Sequence, residues 1–365
     1  MRNFKIHFQY IKSALREGRP PRFVPCRQLE GDRDMNSAKG QNGKWMAVLA
    51  VAVVASAVVS FTVGYMLAPE AEPETQEYDY AKAVIVTDEW GDVISITMED
   101  DYNRTVVLDG FAERIVSVAP TPTEILFAVG AGDQVVGVDD YSDYPEEVQS
   151  LPKVGSWTLN VESIVGLEPD LVVCSDLVPR QQLDLIANQS IPYFIFATRT
   201  MEDVYKDVRL AGLMTGHIRE AEVVAASLEA RVKAVTDLTL AAGVSKPSVY
   251  IEYYPLWTYG PGSFGDNMIA LAGAVNIAHD AGNEYPELTT EFIIASDPDV
   301  IIYTVGVMTT TNATEISSRE GWDQITAVAE GQIYSIDDNL MSRYGPRVVD
   351  GLEQLAALIH PELVE

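Results

Sequence analysis

The sequence predicts an α/β protein of two lobes, each a parallel sheet covered by helices, and two observations carry that expectation. From Arg114 onward, short aliphatic runs alternate with helical stretches, which is the pattern of strands buried on both faces. A unit in the first half, "ESIVGLEPDLVV" at Glu162–Val173, returns as "EFIIASDPDVII" at Glu291–Ile302, 129 residues later. Each copy opens with Glu, has an apolar third residue, reaches Pro-Asp and ends in aliphatics. The two halves therefore repeat one architecture: a short helix, a Pro-Asp turn and a buried strand.

Ahead of the lobes, residues 1–44 hold ten Lys/Arg against four Asp/Glu, a basic head. Residues 45–68, "WMAVLAVAVVASAVVSFTVGYMLA", carry no charge over 24 positions. At about 1.5 Å rise per residue, such a helix crosses a ~30 Å hydrocarbon core, whereas a buried core helix of that length is not apolar on every face. The run exceeds the roughly 7–15-residue core of a signal peptide, so a retained single-pass anchor in the cell membrane is expected. The basic flank places the head in the cytoplasm and the body outside. Residues 69–80, rich in Pro and Glu, read as an acidic solvated linker.

"AVIVTDEWGDVISITMED" alternates around Trp90-Gly91-Asp92 and reads as a β-hairpin. In the first lobe, 81–200, "RIVSVA", "QVVGV", "DLVVCS" and "PYFIFA" read as strands, with helices at Thr123–Val129, Val161–Leu167 and Gln181–Asn188. Residues 201–241 carry apolar side chains at helical spacing, interrupted by Gly212 and Thr215-Gly216, and predict one long crossing. In the second lobe, 242–365, "SVYIEYY", "DVIIYT" and "QIYSID" are strands, and Asp266–Ala272, Glu291–Ala295 and Arg347–Ile359 are helices. The fold class is thus two Rossmann-like lobes with parallel sheets joined by one long rigid helix, plus an N-terminal transmembrane helix. A stiff joint limits how far the lobes can hinge.

The chain as a whole is net −29, but residues 69–365 hold fifteen basic against fifty acidic residues. A body this acidic repels nucleic acid and anionic headgroups, which leaves a small molecule or a basic protein surface as partner. Cys26 and Cys174 fall on opposite sides of the predicted anchor and cannot pair. No cysteine directly follows the apolar run, so the usual lipid-attachment site is missing. His7, His217, His279 and His360 are too scattered for a tight metal site, although His279 can reach a cleft. No G-x-S-x-G, H-E-x-x-H or Walker loop occurs. "GPGSFG", Gly260–Gly265, matches a dinucleotide fingerprint, but Pro261 and its distance from the strand favour a plain Gly-rich loop. The expectation is a protein that is not an enzyme, with no catalytic residue, no metal and no cofactor. Asn103, Asn188 and Asn312 lie in sequons, a mark of an exported surface.

Ligands of such lobes bind beyond the carboxyl ends of the strands. Those loops hold Tyr141 in "DDYSDYP", Trp157 in "KVGSW", Trp257 and Tyr259 in "PLWTYGPGSF", and Arg343 and Tyr344 in "NLMSRYGPR". Loop packing explains any one aromatic about as well as binding does. Their recurrence in equivalent loops of both lobes favours flat walls for a large planar ligand. Glu162 and Glu291 stand at helix N-termini, where the dipole already favours a carboxylate. As exposed anions at matching places, they also form a two-point docking pattern for a basic partner.

"RIVSVAPTPTEILFAVGAGDQVVGVDDYSDYP", "LPKVGSW" and "VESIVGLEPDLVV" closely resemble the substrate-binding proteins of ABC importers for cobalamin, haem and iron-siderophore complexes, over roughly Val84 to Ile359. The resemblance implies two α/β lobes rigidly joined by a backbone helix, with Glu162 and Glu291 docking on arginines of a permease dimer. "YSDYP" and "SW" look most like the cobalamin binders, which implies that Tyr141 and Trp157 line the cleft, with Trp257 and the loop before "GPR" at further cleft positions. "NLMSRYGPR" lacks the aromatic pair that well-known cobalamin binders place before Pro-Arg, and Arg343 suits a siderophore carboxylate or a haem propionate. The implied protein is a monomer, tethered to the membrane, that captures a bulky metal chelate and delivers it to the permease. A corrinoid is the first ligand expected, and an iron-siderophore or haem the alternative. An anchor of this kind also fits a cell with one membrane, such as an archaeon. The rival readings are an enzyme linked to a nucleotide through "GPGSFG" and a sensor whose output is the 44-residue basic head.

Overall fold

The structure, a computed structural model, describes residues 74–79, 82–240, 245–306 and 311–363. The basic head, the expected anchor at 45–68 and the start of the acidic linker lie outside the described residues. Among the described residues, no helix is long and apolar enough to cross a membrane.

Glu74–Tyr78 (β1), Ala83–Thr87 (β2), Val93–Glu99 (β3) and Thr105–Leu108 (β4) form an antiparallel sheet in that order. The expected hairpin is β2–β3, and the Asp88 carboxylate accepts the N–H groups of Trp90 (2.8 Å) and Asp92 (3.0 Å) to hold its turn. β1 corrects the linker reading, because five residues taken as solvated pair with β2 from Glu74↔Thr87 to Tyr78↔Ala83. Thr75, Gln76 and Glu77 remain exposed, so backbone pairing builds this edge strand without the apolar side chains by which a strand is recognised. Ile85, Ile96, Met98, Val106 and Leu108 close the inner face of the sheet against the core.

The first lobe runs Ile115–Ser117 (β5), Pro120–Ala128 (α1), Val135–Val138 (β6), Val161–Gly166 (α2), Leu171–Ser175 (β7), Arg180–Ala187 (α3) and Tyr193–Phe196 (β8). Its sheet is parallel with order β6-β5-β7-β8. Met201–Thr215 (α4) and Ile218–Thr239 (α5) follow. The second lobe runs Ser248–Glu252 (β9), Phe264–Leu271 (α6), Val275–Asn276 (β10), Thr290–Ser296 (α7), Val300–Val305 (β11), Ala313–Ser317 (α8), Thr326–Ala329 (α9), Ile333–Asp337 (β12), Asn339–Ser342 (α10) and Val348–Ile359 (α11). Its parallel order β10-β9-β11-β12 is the same order, second-first-third-fourth, as in the first lobe.

The repeat keeps its 129-residue offset in detail. Asn160 and Thr289 cap α2 and α7 by accepting the N–H of Ser163 (3.0 Å) and Phe292 (3.2 Å). Ile164 and Ile293 are fully buried. Glu168 and Asp297 both take positive φ, 49° and 43°. The Pro-Asp carboxylate then clips the start of the third strand to that of the first. Asp170 accepts from Glu113 N–H (2.7 Å) and Arg114 N–H (3.1 Å), and Asp299 from Ser248 N–H (2.7 Å).

The single long connecting helix is corrected to a helical hairpin. Gly216 caps α4 in the left-handed region (φ 80°) and the chain restarts at α5, because glycine takes that conformation at no steric cost. A Cβ on Gly212 would sit 2.3 Å from the Ala221 Cβ, so only glycine allows the two helices to approach this closely. Arg209 on α4 bonds Glu222 and Glu229 on α5, each at 2.8 Å. α4 stays with the first lobe, where Lys206 reaches Asp101 at 2.5 Å. α5 reaches the second, where Arg231 bonds Asp350 (2.5 Å) in the first turn of α11 and Glu353 (2.8 Å) further along it.

Candidate functional site

The carboxyl ends of both sheets face one cleft, and charged groups cross it. Glu124 on α1 receives Arg347 at the start of α11 in a two-pronged bond, Nε–Oε2 2.8 Å and Nη2–Oε1 2.5 Å. The Glu124 side chain is 2% exposed and that of Arg347 18%, and the Arg347 guanidinium also lies 3.9 Å over the Tyr144 ring. Paired forks of this kind are the strong ones. Arg343, just beyond α10, bonds Asp143 of the first lobe and lies 3.5 Å from Glu124. Burial works to raise the Asp143 carboxyl, but its bond to Arg343 and the charges of Arg343 and Arg347 outweigh it and hold the group below its usual range.

Two of the expected aromatics stand free on the first lobe. Tyr141 is 56% and Trp157 61% exposed, and they line a depression of about 80 Å³ together with Asp139, Ser175, Leu177 and Val178 of the same lobe. The loop that carries Tyr141 is fixed from below. The buried Asp139 carboxylate accepts the N–H groups of Tyr141 (3.0 Å) and Ser142 (3.2 Å), and Lys153 donates to the Ser142 carbonyl at 2.6 Å.

The second lobe treats its aromatics differently. Trp257 is half-buried in a tight turn, donating its N–H to the Tyr254 carbonyl at 2.7 Å. Tyr259, expected as a wall, is only 3% exposed. Its ring packs on Tyr253 at 5.2 Å and fills the space beside Gly265, where a Cβ would lie 2.2 Å from it. Tyr344 lies flat on Phe264, with centroids 4.2 Å apart and planes 9° apart. Tyr259 is therefore corrected to a support beneath the cleft, and Arg343, expected to await a ligand anion, is already paired across it. Glu124, Asp143, Leu177 and Arg347 were not anticipated as site residues; the pairing of Glu124 with Arg347 spans 223 positions and leaves no local pattern to read.

Glu162 and Glu291 are exposed in the first turns of α2 and α7. Glu291 lines a second-lobe depression with Pro255, Ile294, Arg319 and Trp322. His279 is exposed and pairs with Asp266 at 3.0 Å, which raises its pKa through that bond and charge. Within Gly260–Gly265, Ser263 caps α6 by accepting the Asp266 N–H, and Gly260 packs against the Asn283 carbonyl, as a plain Gly-rich turn does. Burial pushes the Cys174 thiol far up and keeps it inert. Among the described residues, no group of three or more His, Cys, Asp or Glu is placed to hold a metal ion.

The family model described as periplasmic binding protein matches residues 115–340. An uncharacterised ABC transporter substrate-binding lipoprotein of Bacillus subtilis is 31% identical, covering 89% of this chain and 98% of that protein. A cobalamin-binding protein of Halobacterium salinarum is 28% identical, covering 84% of this chain and 83% of its own length. Among solved structures, a periplasmic haem-binding protein from Roseiflexus in its apo form superposes with a TM-score of 0.62 at 30% identity, covering 70% of this chain and all of that one.

Proposed function

The chain belongs to the periplasmic binding protein family, a family of binding proteins and not of enzymes, and on that premise we propose that it is the extracytoplasmic substrate-binding protein of an ABC importer. It captures a bulky metal chelate, a corrinoid first, with haem or an iron-siderophore as the alternative. The observation that carries the reading is the pair of exposed aromatics, Tyr141 and Trp157, which line one depression of the first lobe beside the Asp143–Arg343 pair that joins the lobes. Exposed aromatic faces on a rigid base grip a flat ligand at little cost in side-chain order. The Halobacterium relative favours the corrinoid and the Roseiflexus structure the haem.

Delivery runs through Glu162 and Glu291, which dock on basic residues of the permease. Residues 45–68 anchor the protein, and the body works outside the membrane as a monomer. Trp257 and Tyr344 form the opposing wall on the second lobe.

The test is calorimetry on the full chain in detergent with cyanocobalamin, haem and a ferric hydroxamate. One of them should bind one-to-one, and Trp157→Ala should weaken it at least tenfold. If none binds, the reading fails. Reversing both docking charges, Glu162→Arg with Glu291→Arg, should abolish uptake while leaving affinity unchanged; uptake that persists removes the docking assignment.

A further inference from the structure

Resting on the reading that the body works outside the membrane, we propose that Asn103 and Asn188 are sites of N-linked glycosylation, that their glycans cover the open edge of β4, and that Asn312 stays bare. The sequence holds three N-x-S/T sequons, Asn103-Arg104-Thr105, Asn188-Gln189-Ser190 and Asn312-Ala313-Thr314. In each, both the Asn and the hydroxyl residue two positions on are exposed. Exposure alone does not rank them.

The work done by each side-chain amide does. Asn103 stands in the turn before β4 at φ 56°, a left-handed conformation in which asparagine is enriched among non-glycine residues. Asn188 closes α3, and there its backbone N–H, not its side chain, bonds the Asp184 carbonyl at 3.0 Å. Neither side-chain amide has a partner among the described residues, so both are free to react. Asn312 is instead the cap of α8, where its Oδ1 accepts the N–H groups of Thr314 and Glu315, both at 3.1 Å. Presenting that amide to a transferase opens a helix end that the cap holds shut. Glu315 also lines the depression that contains Glu291, so a glycan on Asn312 would crowd the docking carboxylate.

The two free sequons meet at one place. Arg104 and Thr105 of the first and Ser190 of the second line a single depression of about 610 Å³, together with Val107, Phe111 and Pro192. β4 is the last strand of its sheet, and its outer edge runs along this depression. β8, the edge strand of the adjacent parallel sheet, is closed by the turn that carries Asn103. There the Ile195 carbonyl accepts the Asp101 N–H at 3.4 Å, and the Tyr193 carbonyl accepts from the Arg104 guanidinium at 3.2 Å. β4 reads Thr-Val-Val-Leu, without charge or proline, and Val107 is 52% exposed. The devices that usually keep an edge from pairing with another chain are missing from it. Two bulky, solubilising glycans rooted at the rim of the depression supply that cover. In the reaction the Asn Nδ2 bonds to the anomeric carbon of a lipid-phosphate-linked oligosaccharide, the bond from that carbon to the phosphate oxygen breaks, and the amide proton leaves with the lipid phosphate.

The test is peptide mass mapping of the full chain purified from the membranes of its own cells. Peptides containing Asn103 and Asn188 should carry the added mass of whole sugar residues, and the Asn312 peptide none. Asn103→Gln with Asn188→Gln should remove that mass, raise light scattering of the concentrated protein severalfold and leave ligand affinity unchanged. A sugar-free Asn103 or Asn188, or an Asn312 modified to the same extent, overturns the site assignment. A double variant that scatters no more than wild type overturns the edge-cover role. A membrane-impermeant amine reagent added to intact cells separates these outcomes from the export reading. A labelled body without sugar overturns the proposal alone, and an unlabelled body overturns both.

Discussion

The two lobes share one plan but use their cleft-facing aromatics in opposite ways. Both carry the same strand order and the same cap, buried isoleucine, positive-φ residue and aspartate clip at an offset of 129 residues. Yet the first lobe leaves Tyr141 and Trp157 open, while the second packs Tyr253, Tyr259 and Tyr285 into one cluster and Tyr344 on Phe264. A duplicated scaffold thus fixes where loops emerge, and the loops decide which side grips and which side is pre-packed. The difference also explains why charged groups join the lobes: the second lobe supplies the cations Arg343 and Arg347, and the first supplies Glu124 and Asp143.

The sharpest way to break the comparison is at the contact that belongs to neither lobe. Glu124→Gln should destabilise the protein by about 3–5 kcal/mol in a denaturant titration, because it strands Arg347 against a buried surface. A loss below about 1 kcal/mol would mean that water already screens the pair. Next come the two repeat cores. Ile164→Ala and Ile293→Ala each remove a fully buried side chain and should cost about 2–4 kcal/mol. Hydrogen exchange should place each loss in its own lobe, and a change spread evenly over both would show that the lobes unfold as one.

Smaller effects test the clips. Asp170→Asn and Asp299→Asn should each cost about 1–2 kcal/mol, since each loses charge-assisted bonds to strand-initiating N–H groups. Equal losses support equivalence, and a threefold disparity contradicts it. The smallest effect separates two residues that share a backbone conformation. Glu168→Gly should raise the unfolding free energy slightly, by about 0.5 kcal/mol in a denaturant titration, by relieving positive φ. Asp297→Gly should not, because its carboxylate holds the Thr326 N–H at 2.7 Å and its hydroxyl at 3.1 Å.

Most of the lobe strands and helices were legible because burial on both faces writes itself as unbroken aliphatic runs, as in Leu171–Ser175 and Val300–Val305. The exposed aromatics Tyr141 and Trp157 were legible for the related reason that a loop gives an aromatic ring no ready burial. Tyr259 misled because the space that buries it is made by a glycine six residues on, and a missing Cβ leaves no mark on hydrophobic pattern. The hairpin of α4 and α5 was half legible: Thr215-Gly216 was visible as an interruption, but only the close approach at Gly212 shows that the chain reverses there. The match from Glu124 to Arg347 required the fold itself, since sequence carries no record of distance between residues so far apart.

β1 has a mechanical consequence. Glu74 lies opposite Thr87, at the sheet end where Gly91 and Asp92 approach Glu113 and Asp170, the entry ends of β5 and β7. Glu74 therefore lies toward the entry ends of the first-lobe strands, and Tyr141 follows the carboxyl end of β6. A pull from the chain ahead of Glu74 loads the outermost strand first and peels its five register pairs in turn. At about 3.3 Å per residue, the freed strand is roughly 17 Å long, and both parallel sheets stay intact. Loss of β1 would leave the caps, clips and strand order of both lobes as they are.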